Sequence, residues 1–415
     1  MNCKRNIFFL SLILFVLCST EAKADHIIVC PSCEVKTIED AIDLADPCDT
    51  IFIKPGTYKT ANVIVEKSLN IIGIDYPIWV SRDGEEILTI NARDVLVKGI
   101  NFKHVKTSYL KENSAIRVAD KRHFIIEDNI IDSCFFGIYL QHAKNGVIIN
   151  NRFNGNATTE AESGNGIHAW YCDGIQIEKN IVKGHRDGIY FEFVNNSSVI
   201  NNYSEKNKRY GLHFMFSNDD TYDSNVFKDN GVGVAVMFSR RIKMRDNIFS
   251  YNWGGSSYGL LLKEIFDAEI ENNVFKHNTM GIFVEGSNRV NYFRNDFIRN
   301  GWAIKFSGGC EDNELHRNNF INNSLDLVIN SQLNTNSIHH NYWSNYSGYD
   351  LDKDKIGDVP YYPVKLFYYV IDRTPEAIIL MRSLFVDIIN FAEKVSPIFT
   401  PKDVFDPHPL MNKAS

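Results

Sequence analysis

Residues 202–247, NYSEKNKRYGLHFMFSNDDTYDSNVFKDNGVGVAVMFSRRIKMRDN, hold one unit written twice. Asn202, Asn225 and Asn247 open successive copies, and Gly211 and Gly233 follow the first two at nine and eight residues. Between these landmarks the apolar residues alternate, as in Leu212/Phe214/Phe216 and Val234/Val236/Phe238. A period of two marks a strand with one buried face.

The same landmarks run outward in both directions. Asparagines recur at 129, 151, 180, 202, 225, 247, 273, 295, 318 and 341, mostly 22 or 23 residues apart. All but Asn202 are followed two residues later by an apolar residue. A second ladder, Gly137, Gly166, Gly188, Gly211, Gly233, Gly259 and Gly281, is followed each time by Ile, Leu or Val. Ile74 and Ile100 extend the pattern upstream, giving about twelve repeats. Short strands that turn corners and return after 22 residues stack as parallel coils ~4.8 Å apart. The sequence therefore predicts an all-β chain, a right-handed parallel β-helix solenoid, with handedness taken from the general rule for parallel crossovers. Asn and Gly are expected at the corners because they enter the left-handed region at least cost.

Open solenoid ends need covers. Thr37 before Ile38, Ala41, Ile42 and Ala45 predicts a capped N-terminal helix. Thr374-Pro375 predicts a C-terminal amphipathic helix to about Val395, with Met381, Leu384, Phe385, Ile388, Ile389 and Ala392 on one side. Ile378, Ile379, Leu380 and Phe391 widen that face beyond what a cap needs, so the helix reads as an end cap or as a docking element. Arg382 and Asp387 argue against a membrane span.

The 415 residues carry 44 basic and 51 acidic side chains, a net charge of −7 that favours neither nucleic acid nor an anionic membrane surface. Lys4 and Arg5, the apolar run Ile7–Cys18 and Ala22-Lys23-Ala24 read as a secretory signal cut after Ala24. That makes the mature chain an exported protein of an oxidising compartment. The expected organisation is signal peptide 1–24, N-terminal segment and cap helix 25–48, solenoid 49–345, acidic loop and closing segment 346–372, and C-terminal helix and tail 373–415.

Aligning strands on the glycines yields two outward columns. One is His168/Tyr190/His213/Ala235/Leu261 and the other Trp170/Glu192/Met215/Met237/Lys263. Met215 and Met237 become stacked neighbours, with His213 on the same face and Glu192 one coil below. Thioether plus imidazole suits Cu(I), and the same residues also read as a docking face for a partner protein. Insertions lengthen two coils at one corner, near 154–163 and 252–257, on either side of the three coils that carry this patch. A patch so flanked is expected in a trough.

Asp350, Asp352, Asp354 and Asp358 have the spacing of a partial calcium loop, with Lys355 and Tyr361 where Gly and Glu are usual. Cys30-Pro-Ser-Cys33 with Cys48 reads as a redox pair, a Cu(I) ligand set or a disulfide tying the N-terminal segment to its cap, and the last is preferred. Cys134, Cys172 and Cys310 read as small core residues. Asp219-Asp220, Gly184-His185 and Arg241-Ile-Lys243 superficially match motifs of pectin-cleaving hydrolases, but the histidine precedes the acidic pair.

The stretch Arg209–Tyr222, with Gly231–Arg240, Tyr258–Ile265, Asn300–Lys305, and Gly348-Tyr-Asp-Leu to Gly357-Asp-Val-Pro-Tyr361, resembles the NosD family over roughly 35–405. The resemblance implies an exported, periplasmic accessory protein, not an enzyme. It would work with a membrane ABC transporter and a copper-chaperone lipoprotein to deliver copper(I) to the copper–sulfur site of nitrous oxide reductase. The alternatives are a carbohydrate-active β-helix (lyase, hydrolase or epimerase) and a passive structural or adhesive solenoid.

Overall fold

A computed structural model describes residues 25–108, 110–329, 335–380, 383–395 and 404–414. The proposed signal segment, and Met381 and Arg382 of the expected C-terminal helix, lie outside them. The chain winds into a parallel β-helix whose three faces are sheets of 14, 13 and 12 strands. About fourteen turns replace the twelve expected, because the first coils (His26–Val29 and Thr50–Ile53) lack the Asn and Gly landmarks. A complete coil contributes one strand per sheet, as in Ser198–Ile200, Tyr203–Glu205 and Tyr210–Met215. The interior is a continuous apolar column with rings stacked coil upon coil, such as Phe227, Phe249, Phe275, Phe297, Phe320 and Trp343.

The ladder asparagines do other work than expected. Left-handed φ falls one residue earlier, at Asn201 (56°), Ser224 (56°) and Asp246 (55°). The ladder side chains point inward and pair. The Asn202 N–H and Nδ2 both donate to Asn225 Oδ1, at 2.8 and 3.1 Å, and Nδ2 also donates to the Ile177 carbonyl. This satisfies backbone groups that a tight corner would otherwise bury unpaired. The ladder glycines are likewise a matter of space: a Cβ on Gly211 would lie 2.6 Å from the Gly233 carbonyl oxygen.

At the N-terminal end, α1 (Ile38–Leu44) is capped by Thr37 Oγ1, which accepts from Asp40 N–H at 3.2 Å, and buries Ile38, Ala41 and Ile42. The other end is closed by the acidic loop and the tail. Asp406, fully buried, accepts from His340 N–H, Asn341 N–H and Trp343 Nε1, ending the asparagine ladder with a carboxylate.

The C-terminal helices are not that cover. Where one helix from Pro375 was expected, α2 (Leu366–Arg373), a 3₁₀ segment (Pro375–Leu380) and α3 (Leu384–Val395) are found. They lie against the outer wall of the twelve-stranded sheet, where Phe367, Tyr368, Ile371 and Val386 bury Leu325 and Val328. Among the described residues, no helix is long and apolar enough to cross a membrane.

Cys30 and Cys33 are bridged, while Cys48 is exposed and outside the bridge. The disulfide closes its own four-residue loop and does not join the segment to the cap. Cys134, Cys172 and Cys310 are buried, as expected.

Candidate functional site

Strand pairing in the twelve-stranded sheet reproduces both columns. His168, Tyr190, His213, Ala235 and Leu261 are successive partners, and so are Trp170, Glu192, Met215, Met237 and Lys263. Both columns face away from the apolar interior, and the residues between them, Leu212 and Phe214 among others, belong to it.

The first column is not open to solvent as expected: His213 is 4% exposed and Ala235 and Leu261 are buried. The cause lies just before each ladder glycine, where Tyr210, Val232 and Tyr258 fold over the outer wall and form a second apolar cluster with Ala235, Leu261, Met237 and Phe283. The second column, Met215 and Met237 included, stays half-buried at the surface.

Around His213 the surroundings are aromatic and acidic. Its ring stacks on Tyr190 (centroids 4.6 Å apart) and packs against Tyr210 at 4.5 Å. Its Nδ1 lies 3.6 Å from Asp187 Oδ2. Tyr190 Oη donates to Met215 Sδ at 3.8 Å. The Tyr190 phenol is pushed above its ordinary value, first by burial and then by the nearby Glu192 carboxylate. His168, next in the column, is pushed down to about 3 by burial and by the charges of Arg186, His213 and Arg117. It is therefore a neutral imidazole.

Beside the methionines runs an aromatic corner. Tyr171, Phe193, Phe216 and Phe238 all hold positive φ and stack at 4.5, 5.1 and 5.1 Å. Left-handed backbone costs such residues roughly 1–2 kcal/mol each, partly offset by ring stacking. Tyr171, Phe216 and Phe238 remain exposed, so Met215 and Met237 border a continuous apolar ledge. Phe216 and Phe238, read from alternation as part of the buried face, instead turn the corner and stay exposed, and Asp187 was not singled out from sequence. Asp187 was nevertheless legible, since it precedes Gly188 as Tyr210 precedes Gly211.

The long insertion near 154–163 bounds a cavity that opens toward His104–Thr107 and Ser133–Phe135, with His185 in its lining. Asp219 and Asp220 do not face one another across a cleft. Asp219 makes a two-point pair with Arg241 at an exposed corner (2.5 and 2.7 Å), and Asp220 is fully buried, accepting from Ser197 N–H. Asp350, Asp352 and Asp354 bring carboxylate oxygens within 4.8 Å of one another. Asp358 is not among them, and its carboxylate accepts from Leu351 N–H.

Residues 154–348 match the family described as "Periplasmic copper-binding protein (NosD)", and residues 68–171 match the right-handed β-helix region. A "Probable ABC transporter binding protein NosD" of Stutzerimonas stutzeri is 28% identical over 375 residues, covering 78% of each chain. One of the same name from Pseudomonas aeruginosa is 34% identical over 70 residues, 17% of this chain and 16% of that one. Among solved structures, the Streptococcus pneumoniae surface adhesin PfbA superposes with TM-score 0.56 at 12% identity, covering 74% of this chain and 89% of that one. A PL6 alginate lyase does so with TM-score 0.56 at 10% identity, covering 77% and 85%. At such identities the likeness is one of fold alone.

Proposed function

We propose, from the premise that this chain belongs to the NosD family, that it is a periplasmic accessory protein that carries copper(I) as cargo towards the copper–sulfur centre of nitrous oxide reductase. The transfer face is the outer wall at Met215 and Met237, with His213, two residues before Met215, packed beside it against Tyr190 and Tyr210. The observation that carries the reading is the pairing of two surface thioethers on adjacent coils beside a histidine on the same strand. Thioethers and neutral imidazole are soft and borderline donors that retain Cu(I) and bind hard cations poorly. Glu192, next to Met215 in the column, lies at the edge of the patch.

The apolar ledge of Tyr171, Phe193, Phe216 and Phe238 is the surface on which a copper-chaperone lipoprotein or the reductase docks. The homologues' name points to an ABC transporter as a further partner. We assign that contact to α3 and the segment before it, whose Ile379, Leu384, Phe385, Ile388 and Phe391 are between 51% and 85% exposed. So large an apolar face left uncovered marks an interaction surface. No catalytic role is assigned to any residue.

The test is reductase maturation. In a strain lacking this protein, the wild-type gene restores the spectroscopic signature of the copper–sulfur centre, and a Met215→Ala/Met237→Ala gene does not. Restoration by the double variant would refute the assignment of the transfer face.

A further inference from the structure

The bridge between Cys30 and Cys33 does little for the fold. It joins residues three apart in a Cys-Pro-Ser-Cys turn and ties no second element to the solenoid. The turn is closed without it: Cys33 N–H donates to the Cys30 carbonyl at 3.1 Å, and Cys30 N–H donates to the Val35 carbonyl at 3.2 Å. Just before the turn, Val29 is fully buried, pairs with Ile53 and bridges to Val35. Its carbonyl accepts from Lys54 N–H at 3.0 Å and from Tyr58 Oη at 3.3 Å. A disulfide stabilises mainly by restricting the unfolded chain, and so short a loop leaves least to restrict.

The two sulfur-bearing residues differ in their surroundings. Cys30 is 7% exposed, whereas Cys33 is half-buried, with Pro31 and Ser32 exposed between them. Ser32 Oγ lies 3.4 Å from Cys30 Sγ, where its hydroxyl can donate to a thiolate. Cys33 is therefore the side open to attack, and the sulfur that would leave has a donor in place. Burial pushes the Cys134 and Cys172 thiols up to about 12 and raises that of Cys310, so these three stay protonated and do not compete.

We infer that Cys30 and Cys33 form a thiol–disulfide exchange site that takes two electrons from a dithiol on a partner protein. One partner thiolate attacks Cys33 Sγ, forms a mixed disulfide with it and expels Cys30 as a thiolate. The partner's second thiolate then attacks its own bridged sulfur, closes the partner's internal disulfide and releases Cys33. The partner's two protons end on Cys30 and Cys33, and the reverse sequence with a disulfide-bearing protein restores the bridge. Reduction leaves the turn standing on its backbone hydrogen bonds.

The test equilibrates the full-length chain in glutathione buffers of graded reduced-to-oxidised ratio. Differential alkylation and mass spectrometry of the peptide that holds Cys30 and Cys33 keep the other cysteines out of the reading. The peptide is expected to pass from bridged to doubly alkylated within that range, and the reduced chain to melt no more than about 5 °C below the bridged one. A synthetic peptide with two cysteines should leave the reaction as its internal disulfide, one for each chain reduced. Cys30→Ser, which keeps Cys33, should capture oxidised glutathione at least about tenfold faster than Cys33→Ser, which keeps Cys30. A bridge closed at every ratio, or a larger fall in melting temperature on reduction, would make it a structural disulfide and overturn the inference. So would a peptide left reduced, or a smaller difference in capture between the two variants.

Discussion

Met215 and Met237 are register partners on adjacent coils of one parallel sheet, 22 residues apart in the chain and one strand spacing apart in space. Neither is needed to fill the core, whose side chains come from Leu212, Phe214, Val234 and Val236. Replacing both by alanine is therefore expected to leave the fold almost untouched, within about 1 kcal/mol by chemical denaturation. A much larger loss would place them among the structural residues.

The asparagine ladder is where stability resides. Asn225 lies in mid-solenoid, with its amide donating to Asn247 Oδ1 and the Val199 carbonyl and its own Oδ1 accepting from Asn202. Asn225→Ala leaves the Asn202 N–H and the Val199 carbonyl buried without those partners, at ~1–3 kcal/mol each. The denaturation midpoint should fall markedly, and Asn225→Asp should not restore it, since a carboxylate can accept from Asn202 but cannot donate to Val199.

Gly211→Ala tests the second ladder. The added Cβ would lie 2.6 Å from the Gly233 carbonyl and 2.8 Å from Asn230 Nδ2, so two coils must separate locally. Overpacking of this kind costs typically 1–3 kcal/mol. A melting temperature equal to that of the wild type would show that the coils have room for the added methyl group.

Acid sensitivity follows from two histidines. Burial holds His185 down at about 4, and burial with Arg186, His213 and Arg117 holds His168 down at about 3. Both values lie below the unfolded value near 6.5. Between these limits the unfolded chain binds protons that the folded chain does not, so stability rises with pH across the window. It is complete above about 6.5 and is lost as pH falls toward 4 and then 3. Denaturation midpoints measured from pH 7 to 4 should decline, and His168→Gln/His185→Gln should flatten the decline. An identical slope in the variant would contradict the assignment.

Much of this architecture was legible because a solenoid repeats its physics. Period-two alternation and two landmarks per coil set a register in which Met215 meets Met237 and His168 meets Tyr190. What the landmarks do was less legible. Asn202 was expected to turn a corner, yet Asn201 turns it and Asn202 feeds hydrogen bonds to its neighbours. One-dimensional patterning states which wall a side chain faces, but not what else folds over that wall. Tyr210 packs on the outer wall against His213 although Leu212, two residues on, points into the interior, and alternation does not encode that. The placement of α2 and α3 on the wall rather than over the end was equally hidden, because an apolar helix face fits either surface.

The exposed face of α3 predicts a separable phenotype. Phe385→Asp/Phe391→Asp changes two side chains that are 51% and 69% exposed, so folding and Cu(I) binding should persist. Co-purification with the ABC transporter should be lost. Undiminished recovery of the transporter would move that contact elsewhere on the protein.

The most direct test of the whole account is Cu(I) affinity measured by chelator competition on the purified protein and on Met215→Ala/Met237→Ala. The account predicts one competitive Cu(I) site in the wild type and its loss, or a weakening of at least tenfold, in the double variant. Equal affinity in the two proteins would contradict it.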